Sequence, residues 1–94
     1  MGVEYALKLK EVRRGRLDAL LRSLSQFACF APEYRSYEFR AERSTDTKRM
    51  PDAYIVIEEY GLYFCDNGGE GKRILEHLIL KIENEYAEAI LDSE

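Results

Sequence analysis

His77 is the only histidine in this 94-residue chain, and Cys29 and Cys65 are its only cysteines, so nucleophilic and metal chemistry have few bearers. A metal site would require these three to converge, with no ligand-spacing motif to bring them together. A Ser/His/Asp arrangement cannot be argued from one histidine when no serine sits in an elbow motif. His77 lies between Arg73 and Lys81 at i−4 and i+4 of a helical pattern. It projects about 140° from Ile82 in the apolar stripe, so it reads as a surface histidine whose loss should cost under about 0.5 kcal/mol. Cys29 falls in a helical pattern and Cys65 in a strand pattern. Neither has a histidine or cationic cluster beside it to stabilise a thiolate, so both read as small apolar fillers.

The run Gly68-Gly69-Glu70-Gly71-Lys72-Arg73 leads from a strand pattern into a helical one and must be weighed as a phosphate cradle. A P-loop needs a glycine five residues before the Gly-Lys pair and a Ser or Thr after it. Asp66 and Arg73 hold those places. What remains is a flexible turn, with a helix N-terminus as a weaker anion site. The carboxylates are abundant but dispersed. Glu58 and Glu59 point to opposite faces of their strand. Glu76, Glu83, Glu85 and Glu88 spread over the exposed side of the last helix. The pattern implies no catalytic residue, cofactor or metal.

The elements that must position these groups follow from periodicity. Val3, Tyr5, Leu7 and Leu9 alternate with Glu4, Ala6, Lys8 and Lys10, which makes residues 3–10 a strand with one buried face. Beyond Gly15 the period becomes helical. Leu17, Leu20, Leu21, Leu24, Phe27 and Ala28 form its stripe, and Pro32 stops it. A second strand is predicted from about Tyr34 to Glu42, then a polar basic loop from Arg43 to Met50. Ala53 to Glu59 is apolar on both faces and reads as a central strand. With a turn at Tyr60-Gly61, that strand would pair Ile57 with Phe64, Val56 with Cys65 and Glu58 with Tyr63. The last helix is predicted from about Glu70 to Leu91, with Asn67 and Glu70 at capping-box spacing. The expected fold is therefore an α+β two-layer sandwich, β-α-β-β-β-α. It is a single domain over residues 1–94, with both helices on one face of a four-stranded sheet.

Composition sets the class. Hydrophobic content of 46% with 34% charged residues suits a soluble globular chain. The longest apolar run, Ala53 to Ile57, is far short of a membrane span. Glu4, Lys8 and Lys10 interrupt any secretion signal at the start, so a cytoplasmic setting with free thiols is expected. The charge is unevenly divided. Residues 1–50 carry eleven Lys/Arg against seven Asp/Glu, a net of +4, whereas residues 51–94 carry three against eleven, a net of −8.

Two surfaces follow. On the outer sheet face, Tyr54, Val56, Tyr63 and Cys65 should cluster, with Glu58 and Tyr34 nearby. Leu80, Ala87 and Leu91 form a row at i, i+7 and i+11, off the core stripe of the last helix. Spare apolar surface of this kind points to a non-catalytic protein–protein interaction module that associates with itself as a homodimer or with another protein. The alternative partner is RNA, stacked on tyrosines and held by Arg35, Arg40, Arg43, Lys48 and Arg49. A small enzyme with an unrecognised site is the third reading. From Gly15 onward, α-β-β-β-α with Gly71-Lys72-Arg73 opening the final helix resembles the layout of a double-stranded RNA-binding domain, which implies an RNA partner. The chain departs from that family in lacking a glycine-proline-histidine loop, and only Lys72-Arg73 stands for its lysine cluster.

Overall fold

The computed structural model describes residues 2–40, 50–86 and 92–93. In chain order the elements are β1 (Val3–Lys8), α1 (Arg14–Ser23), β2 (Phe27–Ala31), β3 (Ser36–Phe39), β4 (Ala53–Glu58), β5 (Gly61–Asp66), α2 (Gly71–Tyr86) and the two-residue β6 (Asp92–Ser93). The strands form one antiparallel sheet in the order β2-β3-β4-β5-β1-β6. The class is α+β as expected. The sheet, however, has five full strands where four were predicted, and the short β6 adds to β1 opposite Tyr5 and Ala6.

The fifth strand comes from a stretch that reads as helix. α1 ends at Ser23, where Leu24 turns extended and its N–H bonds the Leu21 carbonyl. Phe27 and Phe30 then lie opposite Phe39 and Tyr37, two residues that share one face of β3. The register of β2 shifts between Phe27 and Cys29. That bulge absorbs one residue, so two phenylalanines three apart land on the same side. A spacing of three on one face is also the mark of a helix, and so the periodicity misleads here. Cys29 is thereby an exposed strand residue and not a helical one. Four strands, not three, separate the helices, so the layout of a double-stranded RNA-binding domain is not present.

The β4–β5 hairpin turns at Glu59-Tyr60, one residue earlier than predicted, and its register pairs Ile57 with Leu62 and Val56 with Tyr63. The pairing slips by two residues from the expected one. Side chains alternate with a period of two, so every face assignment survives the slip. Gly61 belongs to the strand, not the turn. It sits between β4 and β1, opposite both Glu58 and Lys8, with φ of 145°. A Cβ there would collide with the Leu7 carbonyl oxygen, so the glycine serves the close approach of β1.

One core joins both helices to one face of the sheet. Leu17, Leu20, Leu21 and Leu24 from α1 and its C-cap meet Ile74, Leu75, Leu78 and Ile82 of α2 over Leu7, Tyr37, Phe39, Ala53, Ile55, Leu62 and Phe64. All seven sheet residues share one face by register. The predicted stripe of α2 is seen at Ile74, Leu75, Leu78 and Ile82, with Ile79 packed at its margin. Ala41, the Arg43–Arg49 loop and the expected helical residues from Ala87 to Leu91 lie outside the described residues. No helix among the described residues is long and apolar enough to cross a membrane.

Candidate functional site

The face opposite the helices is built by alternation. On β4, Tyr54 and Val56 are the off-core positions between Ala53, Ile55 and Ile57, and β5 presents Tyr63 and Cys65 in the same way. Register sets Tyr54 against Cys65 and Val56 against Tyr63, so the four residues form one block on two adjacent strands. All four are half-buried. No helix or strand among the described residues lies over them. The expected clustering is therefore present in this part of the surface.

The neighbouring strands complete the patch. β3 adds Ser36 opposite Val56 and Glu38 opposite Tyr54. β1 adds Glu4 opposite Cys65 and Ala6 opposite Tyr63. The Tyr63 hydroxyl donates to Glu4 Oε1 at 2.5 Å. This bond, aided by burial, pushes the Tyr63 phenol well above its ordinary pKa. Burial, then the Glu38 charge, raises Tyr54. Arg40 Nη2 lies 3.7 Å from Glu38 Oε1, and the same oxygen accepts from Cys29 Sγ at 3.5 Å. Burial first, then the Glu38 hydrogen bond, raises the Cys29 thiol, which keeps it protonated and a weak nucleophile. The Ser36 hydroxyl is buried without a partner. Sequence reasoning missed Glu4, Ser36, Glu38 and Arg40 as members of this patch. Their alternation placed them on the polar faces of their strands, but only the strand order brings those strands to either side of the tyrosines.

The other predicted surface residues do not join this block. Leu80 is 55% exposed on α2, on the opposite layer. Ala87 and Leu91 lie outside the described residues. Tyr34 sits in the β2–β3 turn, 77% exposed, and is not on a paired strand position of the block. His77 is not the isolated surface group expected. It is half-buried, and its Nδ1 lies 3.0 Å from Gln26 Nε2, which ties α2 to the segment entering β2.

The two helix N-termini are also distinct. At α2, Asp66 accepts from the Gly68 N–H at 2.8 Å and Asp52 accepts from the Glu70 N–H at 3.2 Å. A Cβ on Gly71 would strike the Asp66 carboxylate, so glycine lets that carboxylate sit against the first turn. The glycine loop thus already holds anionic groups of its own chain, which leaves its phosphate reading without free donors at these positions. Asn67 does not form the expected capping box; its amide donates to the Pro51 carbonyl at 3.1 Å. At α1, by contrast, Arg13 supplies no side-chain cap and the first turn carries no acidic residue. A cleft of about 550 Å³ opens beside it, lined by Arg14, Asp18, Phe30, Arg35, Tyr37 and Ile57 among others. In its wall the Tyr37 hydroxyl donates to Asp18 at 2.5 Å; Arg22, outside the lining, donates to the same carboxylate at 3.0 Å, and its guanidinium lies 5.5–5.8 Å from the Phe27, Phe30 and Tyr37 ring centres. These contacts hold Asp18 below its usual range, the Tyr37 bond most of all. Burial, then Asp18, pushes Tyr37 up to about 12.

Among the described residues no group of three or more His, Cys, Asp or Glu side chains is placed to hold a metal ion. No protein-family model, curated protein or solved structure matches the chain. Its functional reading therefore rests on its own geometry.

Proposed function

We propose that this chain is a non-catalytic protein–protein interaction module that associates with a second copy of itself through the open face of its sheet. The observation that carries this reading is the block of Tyr54, Val56, Tyr63 and Cys65 on adjacent strands, with no described element packed over it. Aromatic and aliphatic groups at the centre with charges at the margin have the anatomy of an interface core and rim. The margin carries both signs, Glu4 and Glu38 against Arg40, so two copies can meet without a large like-charge penalty. The two free thiols, one of them exposed, suit a reducing, cytoplasmic setting.

RNA fits the same face poorly. Stacking would place phosphates against Glu4 and Glu38, whose carboxylates stand beside the tyrosines. Sequence-independent affinity for phosphate needs cations that displace counterions, and the described part of this face offers few. Light scattering of the wild type should give a mass above the monomer at micromolar concentration. An anisotropy titration against single- and double-stranded RNA at low salt should stay flat. A monomeric mass together with submicromolar, salt-sensitive RNA binding would overturn the reading.

A further inference from the structure

We propose that β2 is a second contact between copies, pairing edge to edge and antiparallel with β2 of another molecule so that the two sheets become continuous. This concerns a different surface from the open face and shares with it only the premise that the partner is a second copy. β2 is the terminal strand of the sheet, with β3 on one side and no described strand on the other. An edge strand presents unpaired N–H and C=O groups, and proteins usually guard such edges with lysine, proline or inward-pointing charge. At the opposite edge the short β6 pairs with β1 at Tyr5 and Ala6. β2 reads Phe27-Ala28-Cys29-Phe30-Ala31, with no charged residue and no proline, and Ala28 and Cys29 are exposed. Its guard is the bulge at Ala28, which increases twist without adding charge.

The residues at the two ends of β2 favour a second copy as the occupant. In an antiparallel pair centred on Cys29, Phe27 of each molecule lies opposite Ala31 of the other, and uncharged side chains meet throughout. Glu33, exposed just beyond one end, is carried past Phe27 of the second copy, where the exposed Arg22 guanidinium, also held by Asp18 of its own chain, lies 5.5 Å over the ring. The twofold axis repeats this opposite-charge contact at both ends. Five residues of edge pairing bury far less than the roughly 1,000 Å² of a stable interface, so the contact forms at high protein concentration. Symmetry about an axis normal to the sheet puts both helical layers on one side and both open faces on the other, which doubles the width of the proposed docking surface.

Cys29 provides the test. Directly opposed residues of an antiparallel pair have Cα atoms about 4.5–5.5 Å apart, within reach of a disulfide. Diamide, added as a two-electron oxidant that takes up the two thiol protons, should link Cys29 to Cys29 in concentrated wild-type protein. It should do the same in Cys65→Ser and fail in Cys29→Ser. Ala28→Lys, at an exposed position that tolerates the change, should cut the yield severalfold. Amide exchange of Phe27–Ala31 in the reduced wild type should slow as concentration rises. Absence of the Cys29 link, or a link indifferent to Ala28→Lys with no slowing of exchange, overturns the edge contact. Val56→Lys separates the two surfaces. A Cys29 link that persists in this variant supports the edge contact, whereas a mass that Val56→Lys leaves unchanged counts against the open-face reading alone.

Discussion

The two faces of the sheet are made by the same strands and end in different states. Ile55 and Val56 are neighbours of nearly equal hydrophobicity, yet Ile55 is fully buried and Val56 only half. Phe64 and Tyr63 differ in the same way. On the inner face Phe64 meets Tyr5 edge-on at 6.2 Å beneath the helical layer. On the outer face Tyr63 spends its hydroxyl on Glu4. The helices decide which face becomes core, and residue type alone does not. Among the described residues neither helix packs on the other face, and the proposed interaction rests on the apolar groups left there.

Truncating one residue on each face should give the largest difference. Phe64→Ala should cost about 3–5 kcal/mol in denaturant unfolding, as expected for a large side chain deleted from a packed core. Tyr63→Ala should cost roughly 1 kcal/mol in the monomer. Reversed costs would show that the faces have been assigned the wrong way round. Next in size is His77→Ala, at about 1–3 kcal/mol, because it strips the partner from the half-buried Gln26 amide, whose Oε1 is already buried and unpaired. A loss below about 0.5 kcal/mol would return His77 to the surface role its position in the helix suggests.

A smaller effect sharpens the inner side at its margin, in the Asp18–Tyr37 pair. Asp18 is lowered when folded, so its contribution is present above its ordinary pKa of 3.8 and is lost as pH falls through the folded value. Tyr37 is raised when folded, so its contribution is present below pH 10 and is lost as pH climbs toward about 12. Tyr37→Phe should flatten the alkaline slope in a pH series of thermal melts and weaken the acid one. An unchanged alkaline limb would show that the Tyr37 hydroxyl is not held as described.

Much of this arrangement was legible in the residues. The alternation of Val3, Tyr5 and Leu7, the stripe of α2 and the off-core block of Tyr54, Val56, Tyr63 and Cys65 are all local patterns of period 2 or 3.6, and the structure keeps them among the described residues, the stripe of α2 as far as Ile82. What could not be read was non-local or ambiguous in period. The bulge in β2 gives Phe27 and Phe30 a helical spacing within a strand, and this hid the fifth strand, which ends the sheet among the described residues. Gly61 looked like a turn residue because the backbone of β1 beside it is invisible in local sequence. Asp66 bonds the loop locally, two residues before Gly68, but Asp52 reaches the N-terminus of α2 from the segment before β4, so the glycine loop appeared open to an outside anion. The charged margin of the open face needed the strand order, which periodicity does not carry.

If two copies join through the open sheet face, a charge at Val56 should part them and a charge at Leu80, on the helical layer, should not. Both substitutions place a charge on a surface outside the core, and both variants should retain the wild-type circular dichroism and melting cooperativity. At micromolar concentration, light scattering should give the wild type and Leu80→Glu a mass above the monomer and Val56→Lys the monomer mass. A wild type that remains monomeric, or an oligomer that Leu80→Glu dissolves and Val56→Lys leaves intact, would rule out association through this face.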